Sequence, residues 1–77
     1  MSDEEKLRRI LAEQLCLSYD EVRMDASFVE DLGTDSLDLT ELIMAVEEGF
    51  SLKISDDDAA GMRKVEDLAA YIREHAG

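Results

Sequence analysis

Apolar residues recur at every third or fourth position in separate stretches of a 77-residue chain that contains no proline. That pattern predicts a small bundle of helices. Leu7, Ile10, Leu11 and Leu15 stand at i, i+3, i+4 and i+8, with Glu5, Arg8, Arg9 and Glu13 on the other faces. They predict an amphipathic helix over 3–16, capped by Ser2 or Asp3. Leu39, Leu42, Ile43, Val46 and Phe50 predict a second helix over 36–50, its start capped by Asp35 or Ser36. Val65, Leu68, Ala69 and Ile72 predict a last one over 65–75. Ser55 followed by Asp56, Asp57 and Asp58 has the character of a helix start, with acids complementing the helix dipole, so a short helix is expected over 56–61. The expected fold is all-α: a four-helix bundle of three longer helices and one short one, forming a single domain over 1–77.

Residues 17–35 follow neither a helical nor an alternating period, yet they hold Val22, Phe28, Val29 and Leu32, so this long connection is expected to be packed down and functional. Gly33 marks a tight bend before the second helix. On that helix a thinner stripe of Leu37, Thr40 and Met44 lies beside Asp38, Glu41, Glu47 and Glu48, away from the stripe assigned to the core. A core this small must hold itself by packing alone, because the one cysteine, Cys16, has no partner and is expected to be buried and inert.

Acids outnumber bases 20 to 8, and residues 30–58 carry 10 acids against one base. The net charge of −12 excludes general attraction to nucleic acid or to anionic membranes, so partners are expected to be basic. The opening MSDEEKLRR is acidic and polar, unlike a signal peptide, and no apolar run approaches the length needed to cross a bilayer; a cytoplasmic monomer is expected. Self-repulsion predicts a low melting temperature at low ionic strength, raised by salt or divalent cations.

The segment Gly33-Thr34-Asp35-Ser36-Leu37 resembles the phosphopantetheine attachment motif of acyl carrier proteins, centred on Asp-Ser-Leu. The resemblance extends through Ala26-Ser27-Phe28-Val29-Glu30-Asp31-Leu32-Gly33 before it and through Glu41-Leu42, Met44-Ala45 and Glu47-Glu48 after it, and covers essentially the whole chain. It implies that Ser36, flanked by Asp35 and Leu37, carries 4'-phosphopantetheine placed there from coenzyme A by a phosphopantetheinyl transferase (holo-carrier synthase). The terminal thiol of that arm would then shuttle acyl groups between enzymes of fatty acid or related polyketide and lipid synthesis, with no catalytic residue of the chain's own. Asp35, Asp38, Glu41, Glu47 and Glu48, with Met44 between them, are expected to meet basic surfaces of acyl transferase, ketosynthase, reductase and dehydratase enzymes, and to serve recognition rather than stability. The resemblance also implies an acyl pocket lined by Phe28, Val46, Ala59, Met62, Leu68 and Tyr71.

Several positions depart from the family pattern. Leu39-Thr40 reverses the usual small-or-polar then apolar order, so Leu39 is expected to narrow the acyl pocket and Thr40 to alter docking. Ser55 stands where proline is frequent, and Gly49 and Gly61 where larger residues are usual, each expected to loosen the local structure. Two other classes fit less well. Asp56, Asp58, Gly61 and Asp67 match positions of a calcium-binding EF-hand loop, but Ala60 and the short Asp67 leave too few oxygens, so no metal site is expected. The only histidine, His75, sits near the end of the chain with no nucleophile paired to it by sequence, which argues against an enzyme. A structural adaptor using the acidic helix would differ in leaving Ser36 unmodified.

Overall fold

The computed structural model describes residues 2–75, folded as α1 (Asp3–Leu15), a 3-10 turn (Tyr19–Glu21), α2 (Ser36–Phe50), α3 (Asp56–Ala60) and α4 (Val65–His75). The fold is all-α, three longer helices and one short one, with the long ordered connection lying between α1 and α2. Ser2 caps α1, its hydroxyl accepting from the Glu5 N–H at 3.1 Å, while Asp3, Glu4 and Glu5 place negative charge at the positive end of the helix dipole. The helix stops at Leu15 because Cys16 turns left-handed (φ 58°) and both the Cys16 and Leu17 N–H groups close on Ala12 O. Cys16 is therefore exposed, not buried as expected: the cap ends the helix before that side chain can reach the core.

Against α1 pack α2, α4 and the 3-10 turn; α3 packs closely on none of the helices. The apolar stripes meet as their spacing requires. Leu7 and Leu11 of α1, Leu42 and Val46 of α2, and Val65, Leu68 and Ile72 of α4 are all buried, joined by Val22 and Phe28 from the connection. Each such side chain contributes about 1.5–3 kcal/mol. Leu39 and Phe50, at the ends of the second stripe, are only half-buried.

Long-range polar ties, invisible to periodicity, hold the connection in place. Arg8 clamps its first half: Nε donates to Val22 O at 2.6 Å, a terminal nitrogen donates to Tyr19 O at 3.3 Å, and the guanidinium lies 4.2 Å from the Tyr19 ring centre. Its second half is sewn to the turn before α4. Phe28 N–H donates to Arg63 O, Val65 N–H to Ala26 O and Glu66 N–H to Met24 O, all within 3.0 Å, around an isolated antiparallel bridge between Ser27 and Lys64. Buried Thr34 donates from both its N–H and its hydroxyl to Phe28 O (2.9 and 2.7 Å), fixing the last residues before α2. Val29, expected to be packed, lies in the short turn between these ties and is 64% exposed.

The glycines do different work. Gly33 takes φ +69°, which a residue with a Cβ adopts only with strain. Gly49 also has a packing role that the sequence did not show: a Cβ there would stand 2.6 Å from Ile10 Cδ1, so the missing side chain makes room for an α1 residue. Gly61 ends α3 at ordinary helical angles (φ −84°), and a Cβ there would meet only Asp58 O at 3.6 Å, an ordinary contact. Gly61→Ala is therefore expected to stabilise the protein by about 0.4–1 kcal/mol, chiefly by restricting the unfolded chain. Thermal unfolding followed by circular dichroism checks this; a lower melting temperature would contradict it. Ser55, another expected loosening, caps α3 instead, accepting from the Asp58 N–H at 3.1 Å.

Candidate functional site

The start of α2 is built by the two residues on either side of Ser36 and Leu37. Asp35 is the N-cap: Oδ1 accepts from the Asp38 N–H at 2.8 Å, and the Asp38 carboxylate reaches back to the Asp35 N–H at 3.4 Å. This reciprocal capping box satisfies two of the groups that every helix start leaves open. Both carboxylates thus stabilise the helix, contrary to the expectation that they serve recognition rather than stability. Ser36 is left as the first helical residue. It is exposed, and among the described residues its hydroxyl makes no hydrogen bond; only its carbonyl is engaged, by the Thr40 hydroxyl at 2.9 Å. Of the two cap candidates, Asp35 takes the cap and frees the serine.

Around that hydroxyl the surface is part apolar and part acidic. Leu37 (68% exposed) and Met44 (59%) project from α2, and Val29 stands out from the preceding connection. Asp38, Glu41 and Glu48 are exposed on α2. The one ion pair among the described residues is Arg23 with Asp25, at 3.2 Å, so the α2 acids have no basic partner in it. Glu47 differs from its neighbours. It is half-buried, and Oε2 accepts from the Ile54 N–H at 2.8 Å, tying α2 to the segment leading into α3.

A groove of about 380 Å³ opens beside Ser36 and runs between α2 and α3, walled by Leu39, Thr40, Ile43, Ile54, Ala59 and Ala60. Of the residues expected to line an acyl pocket, Leu39 and Ala59 are here. Phe28 and Met62 line a neighbouring groove, again with Leu39. Val46 and Leu68 are fully buried in the closed core. Tyr71 is half-buried and its hydroxyl donates to Lys53 O at 3.2 Å; loss of hydration, then the Asp58 and Glu47 carboxylates, push its pKa up. The structure does not gather all seven into one cavity. Thr40 and Ile43 share a helix face with Ser36, four and seven positions on, a relation readable from spacing. Ile54 and Ala60 join them only through tertiary packing, which has no local signal.

Asp67, which the EF-hand alignment would need as a ligand, accepts instead from the Arg63 and Lys64 N–H groups at 3.0 and 3.1 Å and so shapes the start of α4.

An exposed serine with an unengaged hydroxyl at a helix start leaves an oxygen open to a partner arriving from solution. Comparison with known proteins agrees: a family model described as a phosphopantetheine attachment site matches residues 5–72. A protein of Nitratidesulfovibrio vulgaris named "Acyl carrier protein" is 60% identical over 73 residues, covering 95% of this chain and 96% of its own. Proteins of the same name from Chlamydia trachomatis serovar L2 and Clostridium perfringens are 52% identical over 75 residues and 48% over 71, covering 97% and 92% of this chain and 97% and 93% of their own. The chain belongs to the acyl carrier protein family. It is a carrier and not a catalyst, its prosthetic group is covalently attached 4'-phosphopantetheine, and it works with the enzymes of fatty acid synthesis and a phosphopantetheinyl transferase. No helix among the described residues is long and apolar enough to cross a membrane.

Proposed function

We propose that Ser36 is the attachment point and that the single domain works by presenting it. The observation that carries this reading is the division of labour at the start of α2: Asp35 caps the helix and leaves the Ser36 hydroxyl exposed and free to react. Ser36 Oγ is the nucleophile. It bonds to the phosphorus of the pantetheine phosphate as the bond to adenosine bisphosphate breaks, and its proton passes to a base of the transferase. The attached group supplies a thiol that holds the acyl chain as a thioester. This chain's residues do the rest. The positive end of the α2 dipole favours the new phosphodiester, and Thr34 and the ties to the α3–α4 turn keep the preceding residues from moving.

Asp35, Asp38, Glu41 and Glu48 give the face around Ser36 a negative field that steers basic surfaces of the transferase, acyl transferase, ketosynthase, reductase and dehydratase toward it. Leu37 and Met44 supply apolar contact that repacks against different partners. Glu47 adds charge to the same face while pinning Ile54. A cytoplasmic site of action accords with this acidic exterior. Intact-mass measurement after incubation with coenzyme A and a phosphopantetheinyl transferase tests the reading. The mass is expected to rise by one phosphopantetheine group, and an unaltered mass would overturn the proposal.

A further inference from the structure

Thr34, two residues before Ser36, is the one polar residue buried among the described residues, at 4% exposed. Its burial is matched by pairing: the N–H and the hydroxyl both donate to Phe28 O, at 2.9 and 2.7 Å. The acceptor is itself held. Phe28 has its ring in the core and its own N–H on Arg63 O, and the turn leading away from it is closed by the Asp31 and Leu32 N–H groups on Ser27 O. The Asp31 carboxylate closes the same turn, accepting from the Ser27 N–H at 2.7 Å. Among the described residues, positions 33–35 make no other hydrogen bond to anything outside α2. From the helix side they are held by the Leu39 N–H on Asp35 O and by the capping box, whose return arm to the Asp35 N–H is 3.4 Å long.

Resting on the assignment of Ser36 as the attachment point, we propose that Thr34 is a positioning residue for phosphopantetheine transfer: its hydroxyl, held by Phe28 O, fixes where the first turn of α2 places Ser36 Oγ. Helix starts fray because their first N–H groups lack intrahelical partners. Ser36 is the first helical residue, so its oxygen keeps one position only while Asp35 stays in the cap. A single N–H bond from position 34 leaves that residue free to swivel about the acceptor. A second bond, from a β-branched side chain with few rotamers, removes the swivel and sets the direction in which the chain leaves for Asp35. Attack on phosphorus depends steeply on where the nucleophile is held. Docking depends on it less, because Glu41 and Glu48, exposed acids that steer a basic surface, lie on later turns of α2 and bond to none of positions 33–35. Loss of the Thr34 hydroxyl therefore slows the transfer step and leaves recognition in place.

Thr34→Val and Thr34→Ser separate positioning from stability. Each is measured for phosphopantetheinyl transferase kinetics by intact mass with coenzyme A saturating, for melting temperature, and for amide hydrogen exchange at positions 35–37. Thr34→Val keeps the branched shape and the backbone N–H on Phe28 O, and its added apolar burial offsets the lost bond, so it is expected to melt close to wild type. Its kcat is expected to fall about 3- to 10-fold, the worth of one hydrogen bond, with KM for the carrier unchanged and exchange at positions 35–37 faster. Thr34→Ser keeps the hydroxyl and loses a buried methyl, so it is expected to melt lower and yet to recover most of kcat. Wild-type kcat in Thr34→Val, a loss carried by KM, or kcat values that follow melting temperature across the variants would each overturn the positioning role and leave the attachment site standing. No added mass on wild type would instead remove the attachment site, and the positioning role with it.

Discussion

Ser36→Ala is expected to take up no phosphopantetheine and yet to melt close to wild type. The two halves of that result have separate causes. Oγ is the only atom removed, and it makes no hydrogen bond among the described residues, so its loss leaves no partner unsatisfied; exposed substitutions of this kind stay within about 0.5 kcal/mol. Asp35→Ala reverses the pattern. It keeps the nucleophile but removes the acceptor for the Asp38 N–H, costing about 1 kcal/mol, or about 4–8 °C in melting temperature for a domain of this size. Asp35→Asn keeps a capping oxygen without the charge, and is expected to recover most of that stability while still being modified more slowly by a basic transferase. Intact mass and thermal unfolding on the three variants read both quantities. A large drop in melting temperature for Ser36→Ala would show the serine to be structural, and added mass on that variant would place the arm elsewhere.

The contrast between these neighbours also marks how far the sequence could be read. Helices α1, α2 and α4 were legible because Leu7 and Leu11, Leu42 and Val46, and Leu68 and Ile72 carry a period that only burial on one helix face explains. Even the short α3 announced itself through Ser55 and the acids after it. What held no local signal was anything made between distant residues. The Arg8 clamp on Val22 O, the hold of Thr34 on Phe28 O and the pairing of Ala26–Phe28 with the turn before α4 are backbone-directed bonds that leave no periodic trace. Exposure failed where the chain turns sharply, at Cys16 in its left-handed cap and at Val29 between two ties. At the candidate site, the motif located Ser36, but choosing the cap between Asp35 and Ser36 required a one-residue boundary that sequence does not resolve. Resemblance likewise merged core residues such as Val46 and Leu68 with groove residues such as Ala59, because both sets are small or apolar and only packing separates them.

Reversing charge at the two most dispensable acids of α2 should move binding and stability in opposite directions. Glu41 and Glu48 are exposed and have no basic partner in the one ion pair among the described residues. The double variant Glu41→Lys/Glu48→Lys changes the net charge from −12 to −8, since each reversal adds two positive units. Less self-repulsion is expected to raise the melting temperature in dilute buffer, and the gain should shrink as salt is added and the Debye length falls. Association with a basic transferase is expected to slow by about 10- to 100-fold at low ionic strength, because most of the negative steering field around Ser36 has been cancelled, and that deficit too should narrow with salt. Stopped-flow association at several salt concentrations measures it. Glu47→Gln supplies the control for a structural role: it weakens the 2.8 Å bond to the Ile54 N–H, so it should lower stability by about 1 kcal/mol while slowing association far less than the double reversal. No single structural defect gives a faster-melting Glu47 variant beside a slower-docking but more stable double reversal; acids kept on the surface for partners do. Equal association rates for wild type and the double reversal would move docking off this face of α2.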